Sequence, residues 1–401
     1  MLREHLQRKL HAIAQAGQTR QLRAAQSATA PHQRIAGPQG QSRDMLMFCA
    51  NDYLGLAAHP ALAQAMADGA LRFGAGAGGS HLISGHTQAH QDMEDELAAW
   101  YQYHVPAARV LSFCTGYMAN LAVISALGDA QATLFSDALN HASLIDGCRL
   151  ARAAVQRYAH GDVADLARQL ALCTSPIKLI VTDAVFSMDG CIAPLQALAD
   201  LAQAHDAWLI VDDAHGFGVL GAQGRGTLEA LSLRCDRLVL IGTLGKAAGA
   251  SGAFVAAHGD VIEYLIQAAR PYIFTTACPP AVACAVQASL GLIAGPEGVA
   301  RRAQLQRLQA HFQAGMRALL AARLQLRWQL LDSPTPIQGV VVGENEAAMR
   351  LSQALDRAGI RVPGIRPPTV PVGQARLRIT LCATHTLADI DRLLNALEDA
   401  A

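Results

Sequence analysis

The sequence has little that would mark a membrane, secreted or nucleic-acid-binding protein. Its 401 residues carry a formal net charge of +0 without long runs of one sign, which argues against nucleic-acid and membrane-surface partners. No apolar run reaches membrane-spanning length, and we expect no signal peptide. The nine cysteines include no Cys-x-x-Cys pair, so we expect reduced thiols and a cytoplasmic location rather than a disulfide framework.

Aromatic residues are also scarce, at 5% of the chain, whereas hydrophobic residues make up 52% and glycine occupies 34 positions. Small apolar residues let helices pack closely on a sheet, so we expect a large and densely packed core. The length suggests two or more packed regions. No internal repeat or low-complexity segment interrupts the chain.

Short apolar segments alternate with helical patterns between residues 88 and 258. The predicted strands are 109–113, 132–135, 154–158, 178–182, 208–212, 238–241 and 253–256. The helical patterns between them are 116–127, 143–152, 162–172 and 195–206. This alternation predicts an α/β fold with a mostly parallel seven-stranded sheet that is covered on both faces.

The two ends of the chain have other patterns. Near the N-terminus we predict a polar amphipathic helix at 2–26, a turn-rich link at 31–42 and a strand at 45–50. Near the C-terminus we predict helices 297–323, 346–358 and 386–399 and strands 338–342 and 375–381, which indicate a smaller α+β domain. We therefore divide the chain into an N-terminal helix and link (1–50), a large cofactor-binding domain (51–290) and a small C-terminal domain (291–401).

Lys246 lies in a loop of small residues that follows an apolar strand. No other charged residue lies between Arg237 and His258. Burial lowers the pKa of an ammonium, and a neutral amine attacks an aldehyde. Lys246 is therefore a candidate for a Schiff base with pyridoxal phosphate, and a lysine that reaches solvent is the alternative.

The segment from Asp212 to His215 follows another apolar strand. Ligands of open α/β sheets bind beyond the carboxyl ends of strands, which is where Asp212 stands. A carboxylate there can keep a pyridine nitrogen protonated, with His215 packed beside the same ring. A helix cap or a metal pair is the alternative, but no third ligand at a fixed spacing supports a metal, so we expect no metal site.

Three further strand ends carry glycine or polar residues. Gly116 and Tyr117 begin a predicted helix, where backbone amides can hold a phosphate group. Ser187 could bond a ligand, and His141 could stack on a flat ring or transfer a proton. The alternatives are an ordinary helix start at Gly116, a turn cap at Ser187 and a helix cap at His141.

The segment 74–79 formally matches the dinucleotide-binding pattern G-x-G-x-x-G. A helical pattern at 61–73 precedes it instead of a strand, so the required geometry is missing. We predict a loop in which the backbone approaches another part of the chain closely.

A loop near the C-terminus presents Arg366 and Thr369. Three prolines between Arg366 and Pro371 restrict the backbone of this loop. Arginine suits bidentate capture of a carboxylate, and a solvent-exposed arginine is the alternative.

Five motifs together resemble those of the α-oxoamine synthases, and they cover nearly the whole chain in the expected order. The motifs are Asn51-Asp-Tyr-Leu-Gly-Leu56, Gly78-Gly-Ser80 with Ser84-Gly85, Val185-Phe-Ser-Met-Asp-Gly190, Val211-Asp-Asp-Ala-His-Gly216 and Gly242-Thr-Leu-Gly-Lys-Ala247. The resemblance implies an aspartate-aminotransferase-like fold (fold type I), a homodimer and pyridoxal 5'-phosphate as cofactor. It also implies that the protein condenses an amino acid with an acyl thioester and releases CO2.

The resemblance implies roles for individual residues. Lys246, Asp212 and His141 would be catalytic: the Schiff-base lysine, the partner of the ring nitrogen and the histidine stacked on the ring. The implied cofactor contacts are Gly116, Tyr117, Ser187, Asp212, His215, Thr243 and Lys246. The implied substrate contacts are Arg23, Asn51, His141, Arg366 and Thr369.

The choice of substrates depends on weaker similarities. Segments 366–371 and 375–380 favour L-alanine and a pimeloyl thioester, on CoA or a carrier protein. Segment 243–247 is equally similar to family members that use glycine and acetyl-CoA. Three departures from the family pattern also bear on the substrate, namely Asp183 in place of glutamate, Phe217 in place of threonine and Tyr117 in place of phenylalanine. An aminotransferase or lyase and a non-catalytic regulator on the same fold are further alternatives.

Overall fold

The computed structural model describes residues 1–16, 18–37 and 41–401. Helix α1 (Leu2–Gln15) buries no residue, and strands β1 (His32–Ala36) and β2 (Ser42–Met47) form an antiparallel hairpin. The helix predicted as far as residue 26 is wrong beyond Gln15, because residues 24–26 exchange backbone hydrogen bonds with β1 instead. The predicted link at 31–42 is mostly strand, and its residues 38–40 lie outside the described part of the chain.

The next part of the chain alternates helices and strands. It contains α2 (Pro60–Phe73), a π-helical turn (His81–Gly85), α3 (Gln88–Tyr101), β3 (Ala108–Phe113), α4 (Gly116–Leu127), β4 (Ala132–Asp137), α5 (Ala142–Leu150), β5 (Ala154–Tyr158), α6 (Val163–Leu172), β6 (Ile177–Asp183), α7 (Leu195–Ala204), β7 (Ala207–Asp212), α8 (Thr227–Ala230), β8 (Leu238–Thr243) and β9 (Ala253–His258). These seven strands, β3 to β9, form one sheet in the order β3-β9-β8-β7-β6-β4-β5. Only β9 runs against its neighbours, so the predicted mostly parallel α/β sheet is confirmed.

Both faces of this sheet are buried. Along β7, Leu209 and Val211 belong to one apolar cluster and Ile210 belongs to another. Successive side chains of a strand point to opposite faces, so the two clusters are the two layers between sheet and helices. The polar residues at the strand ends, such as Asp183 and Asp212, belong to neither apolar cluster.

The C-terminal part contains the remaining helices and a smaller sheet. Its elements are α9 (Gly259–Ala268), α10 (Arg270–Ile273), α11 (Pro280–Ala294), α12 (Pro296–Ala322), β10 (Gln329–Leu330), β11 (Ile337–Gly343), α13 (Asn345–Arg357), β12 (Ile360–Arg361), β13 (Gly364–Ile365), β14 (Ala375–Thr380) and α14 (Leu387–Asp399). Strands β10, β11, β14 and β13 form an antiparallel sheet in that order, as expected for an α+β region. Strand β12 pairs instead with β2, so the N-terminal hairpin joins this C-terminal region. The division at residues 50 and 290 stays a prediction.

Helices α11 and α12 follow each other closely in the sequence. Within the described ranges, no single helix is long and apolar enough to cross a membrane. Only α11 and α12 taken together, with a bend of 67° between them, have the necessary length and composition. Eight residues of α11 are buried inside the protein, among them Val286 and Leu290, and this is the behaviour of a core helix.

Candidate active site

Two buried carboxylates lie side by side where β6 and β7 end. Asp183 and Asp212 are direct neighbours in the strand register and are almost fully buried. Asp212 accepts hydrogen bonds from Asn120 Nδ2 (2.6 Å) and from the backbone N–H of Ala214 (2.9 Å). Burial, followed by the nearby Asp212, raises the pKa of Asp183 well above its usual range. Asp183 therefore holds a proton more readily than a carboxyl group in water does.

Lys246 supplies an amine to this site. Burial, with a smaller contribution from the charge of Arg378, lowers the pKa of Lys246 to about 8, although Asp212 and Asp183 act in the opposite direction. A lysine with this pKa is partly neutral at physiological pH, which the sequence analysis expected of a Schiff-base lysine. Whether it forms one stays a prediction.

A chain of hydrogen bonds holds the Lys246 amine in place. Lys246 Nζ lies 2.8 Å from His215 Nε2, and His215 Nδ1 lies 2.5 Å from the Tyr53 hydroxyl. Burial lowers the pKa of His215 well below its usual value, so the ring is neutral. We infer that Nε2 accepts from the ammonium and that Nδ1–H donates to Tyr53. The Tyr53 hydroxyl then donates to Asn51 Oδ1 at 3.3 Å, which brings Asn51 into the group.

A second chain connects His141 with Asp212. His141 Nδ1 lies 2.6 Å from Ser143 Oγ, and Asn120 Nδ2 donates both to Ser143 Oγ (2.8 Å) and to Asp212. His141 also caps α5, because its Nδ1 accepts from the Ser143 N–H. His141 therefore caps the helix, as the alternative interpretation predicted. It also lies beside the carboxylates of Asp183 and Asp212. Desolvation lowers the pKa of His141 and Asp212 opposes this shift.

The start of α4 lies next to the end of β8. A β-carbon placed on Gly116 would lie 3.7 Å from Thr243 Oγ1, which also accepts from the Gly245 N–H at 3.4 Å. Free backbone N–H groups at a helix start and a hydroxyl are a suitable set of donors for a phosphate group. Tyr117 is half-exposed at this point, and its hydroxyl donates to Asp146.

Arg378 is a member of the site that the sequence analysis did not assign. This buried arginine donates from Nε to the Ser187 carbonyl (2.5 Å) and from Nη2 to Asn51 Oδ1 (3.1 Å). It therefore ties two predicted site residues to β14. The available signal was the alternation in β14, where Arg376, Arg378 and Thr380 occupy one face of an otherwise apolar strand.

Arg366, Thr369 and Arg23 form a second group. They line a cavity of about 740 Å³ that includes no residue of the Lys246 group. Arg366 Nη1 lies 2.7 Å from Met349 Sδ, and Arg23 forms an ion pair with Asp356 at 2.7 Å. The prediction that Arg23 lies on the N-terminal helix is wrong, because that helix ends at Gln15, eight positions before Arg23.

The three residues that depart from the family pattern lie in different environments. Phe217 is buried in the core between Trp100 and Phe254, with ring centroids at 6.0 and 5.3 Å. Asp183 is buried in the site beside Asp212. Both substitutions therefore belong to the interior of the protein, whereas Tyr117 reaches the surface.

Comparison with known proteins shows the family of this chain. The family model for aminotransferase class I and II matches residues 43–397. An 8-amino-7-oxononanoate synthase of Leptothrix cholodnii is 59% identical over 100% of this chain and 99% of its own, and one of Cupriavidus metallidurans is 58% identical over 100% and 98%. Among solved structures, serine palmitoyltransferase from S. paucimobilis with bound PLP has a TM-score of 0.88 at 31% identity, covering 99% of this chain and 96% of that one. An 8-amino-7-oxononanoate synthase from Francisella tularensis has a TM-score of 0.74 at 32% identity, covering 88% and 97%.

The chain therefore belongs to the aminotransferase class I and II family, and it is a pyridoxal-phosphate-dependent acyltransferase of fold type I. Within that family it groups with the 8-amino-7-oxononanoate synthases of biotin biosynthesis. The predicted fold type, cofactor and enzyme class are confirmed. The side chains fit the cofactor, because a buried amine of low pKa, a buried carboxylate and a helix start suit its aldehyde, ring nitrogen and phosphate. The roles of individual residues stay predictions.

Proposed function

We propose that the protein condenses L-alanine with a pimeloyl thioester, carried on CoA or on a carrier protein, to give 8-amino-7-oxononanoate and CO2. The observation that carries the proposal is the position of Lys246, whose partly buried amine lies 2.8 Å from His215 Nε2 at the strand-end site of Asp212 and Asp183. The names of full-length relatives at 56–59% identity support the choice of product. We also propose a homodimer in the cytoplasm, in accord with the family resemblance.

Bound pyridoxal phosphate would supply an aldehyde for amines and a ring that accepts electrons from the substrate α-carbon. Lys246 Nζ would hold the cofactor and then take and return the α-proton, since its pKa of about 8 lies near working pH. Asp212 would keep the ring nitrogen protonated, and Asn120 would orient its carboxylate. His215, at 2.8 Å from Nζ, would position the amine.

The remaining predicted residues would position the cofactor and the substrates. His141 would stack on the cofactor ring, and Ser187 would bond the ring substituents. The proposed phosphate contacts are Gly116, Tyr117 and Thr243. Asn51 would face the amino acid, because it lies between Tyr53 and Arg378.

Two arginines are candidates for binding the carboxylate of L-alanine. Arg366 is the residue that the family resemblance implies, and it lies in the second cavity with Thr369 and Arg23. Arg378 lies closer to the chemistry, because its charge acts on the pKa of Lys246. Arg23 and Thr369 would meet the far carboxylate of the pimeloyl chain, and that ligand must compete with Asp356 for Arg23.

Reduction with borohydride tests the proposal at Lys246. We expect a pyridoxyl group on the peptide that contains Lys246 and loss of turnover in Lys246→Ala. Lys178→Ala is the matched control, because Lys178 is half-buried and donates to the His205 carbonyl outside the site. An adduct on Lys178, or none, would contradict the assignment.

Product identification by mass spectrometry tests the substrates. L-alanine with pimeloyl-CoA should react faster than glycine with acetyl-CoA. The second pair is the alternative because segment 243–247 resembles glycine C-acetyltransferases equally well. If that pair reacts faster, glycine C-acetyltransferase replaces our proposal, and a keto acid without a condensation product would indicate an aminotransferase.

A further inference from the structure

Three side chains that could bind a metal ion meet outside the Lys246 site. They are His160, which follows β5, and Asp189 and Cys191, which lie in the loop after β6. One ligand atom from each lies within 4.8 Å of the others. His160 Nε2 and Cys191 Sγ are 3.5 Å apart.

A buried carboxylate orients the imidazole of this cluster. His160 Nδ1 lies 3.0 Å from Asp137 Oδ1, so Nε2 is the nitrogen that faces Cys191. Asp137 is held in turn by the backbone N–H groups of Leu139 (2.8 Å) and Gly161 (3.0 Å). Histidine ligands of zinc usually donate their second ring N–H to a carboxylate in this way.

The separation of the ligand atoms suits zinc. Zn–S and Zn–N bonds of about 2.3 and 2.05 Å at a tetrahedral angle separate sulfur from nitrogen by about 3.5 Å. We propose that His160 Nε2, Asp189 and Cys191 Sγ form a Zn²⁺ site, with water as the fourth ligand. The Cys191 thiol releases its proton to solvent when the Zn–S bond forms.

Arg376 is the group that opposes a cation here, because its guanidinium contacts Asp189 Oδ1. A carboxylate oxygen has lone pairs for both a guanidinium and a metal, and Asp189 has a second oxygen. Asp137, Asp189 and the Cys191 thiolate together carry three negative charges, which is one more than Zn²⁺ neutralises. The positive charge of Arg376 balances the remaining one. The sequence analysis expected no metal site, because no third ligand at a fixed spacing accompanies the Asp212 segment. His160 and Cys191 are 31 positions apart in the sequence.

The site would anchor the turn that carries Ser187. In this turn the N–H of Phe186 donates to the Cys191 carbonyl (3.0 Å) and that of Gly190 to the Phe186 carbonyl (2.8 Å). A metal at Cys191 would therefore connect this turn to the segment after β5. The inference does not depend on the proposed reaction.

Titration of the cofactor-loaded, metal-free protein with Zn²⁺, and with Co²⁺ as a spectroscopic probe, tests the site. We expect stoichiometric zinc and a thiolate-to-cobalt charge-transfer band in the near ultraviolet. Partners that merely orient a ligand contribute about 10–100-fold to metal affinity, so loss of a ligand in Cys191→Ser or His160→Ala should weaken binding at least about 100-fold.

Matched controls separate this site from other thiols and imidazoles. Cys235→Ser removes another half-buried thiol, and His311→Ala removes another histidine that contacts a carboxylate, here Asp391 at 2.6 Å. Both should bind zinc like the parent protein, and circular dichroism should show all four variants folded. Zinc should also protect Cys191 from alkylation. Equal zinc affinity in Cys191→Ser, or a Cys191 thiol that is alkylated equally fast with zinc, would overturn the proposal and leave a Cys–His–Asp arrangement without metal.

Discussion

Neighbouring residues at the end of β7 have different surroundings. Asp212 accepts from Asn120 beside Lys246, whereas Asp213 accepts from the Thr227 N–H (2.7 Å) and hydroxyl (2.6 Å). Burial raises the pKa of Asp213 to about 7. The sequence presents two adjacent aspartates, and only their hydrogen bonds distinguish a site residue from a structural one.

Asp212→Asn should therefore lower turnover, whereas Asp213→Asn should lower the stability of the fold. Asp212→Asn removes the charge proposed for the ring nitrogen, so kcat should fall at least about 100-fold, on the order of 3 kcal/mol in the barrier. Asp213→Asn replaces one of the two acceptor oxygens with an N–H₂ group and removes the charge that strengthens the bonds to Thr227, so the free energy of unfolding should fall by about 1–2 kcal/mol. Turnover assays and urea unfolding measure the two effects. Full turnover in Asp212→Asn would show that Asp212 is not the aspartate that pairs with the ring nitrogen.

The charge of Arg378 should be visible in the titration of Lys246. Arg378 lowers the pKa of Lys246, so Arg378→Gln should raise that pKa above about 8. Lysine reacts as the neutral amine, so the pH midpoint for alkylation of Lys246 in cofactor-free protein should move upward. Arg378→Lys keeps the positive charge and should keep the midpoint. An unchanged or lower midpoint in Arg378→Gln would contradict the electrostatic role of Arg378.

At the scale of elements, α2 and α11 pack closely because one residue has no side chain. A β-carbon on Gly69 of α2 would lie 2.9 Å from the side chain of Cys284 and 3.0 Å from the Ala281 Cα, both on α11. Gly291, also on α11, is exposed, and a β-carbon there would meet nothing within 4 Å. The same substitution should therefore have opposite effects at these two helical glycines.

Gly69→Ala should lower the free energy of unfolding by about 1–2 kcal/mol. Contacts this short place the overpacking cost in the upper part of its usual range, at about 2–3 kcal/mol, which exceeds the gain of about 1 kcal/mol in helix propensity. Gly291→Ala should raise the free energy of unfolding by about 0.5–1 kcal/mol, since only the propensity changes. Thermal or urea unfolding of both variants checks the signs, and stabilisation by Gly69→Ala would show that α2 and α11 can move apart.

At the scale of the whole molecule, two large apolar side chains are exposed on neighbouring segments. Ile83 in the π-helical turn is 82% exposed and Phe274, after α10, is 69% exposed. A backbone bridge between Ser80 and Thr276 joins the two segments. Exposed apolar patches often mark interfaces, so we expect the proposed dimer to cover this one.

The double variant Ile83→Asp, Phe274→Glu should shift the protein toward monomer in sedimentation experiments. Two charges in an apolar interface lose water without gaining partners, so association should weaken strongly. Leu172→Asp is the control, because Leu172 is 74% exposed on α6, away from these segments in the sequence. A dimer of unchanged stability in the double variant would place the interface elsewhere.

The sequence by itself determined the order of the central elements and most of the Lys246 group. The reason is that these signals are local: apolar runs alternate with helical periods, Asp212 is the last residue of its strand, and Lys246 lies three residues after another strand. Parallel strands bring their carboxyl ends to one edge, so strand ends far apart in sequence could be placed together in advance.

Only the tertiary structure decided the contacts between distant segments. Arg378 bonds Asn51 across 327 positions, and Arg23 pairs with Asp356 across 333. Strand β12 likewise completes the N-terminal hairpin. Such pairings depend on how whole elements pack, which no local pattern encodes, and the N-terminal helix ends early because residues 24–26 bond to β1 instead of continuing the helix.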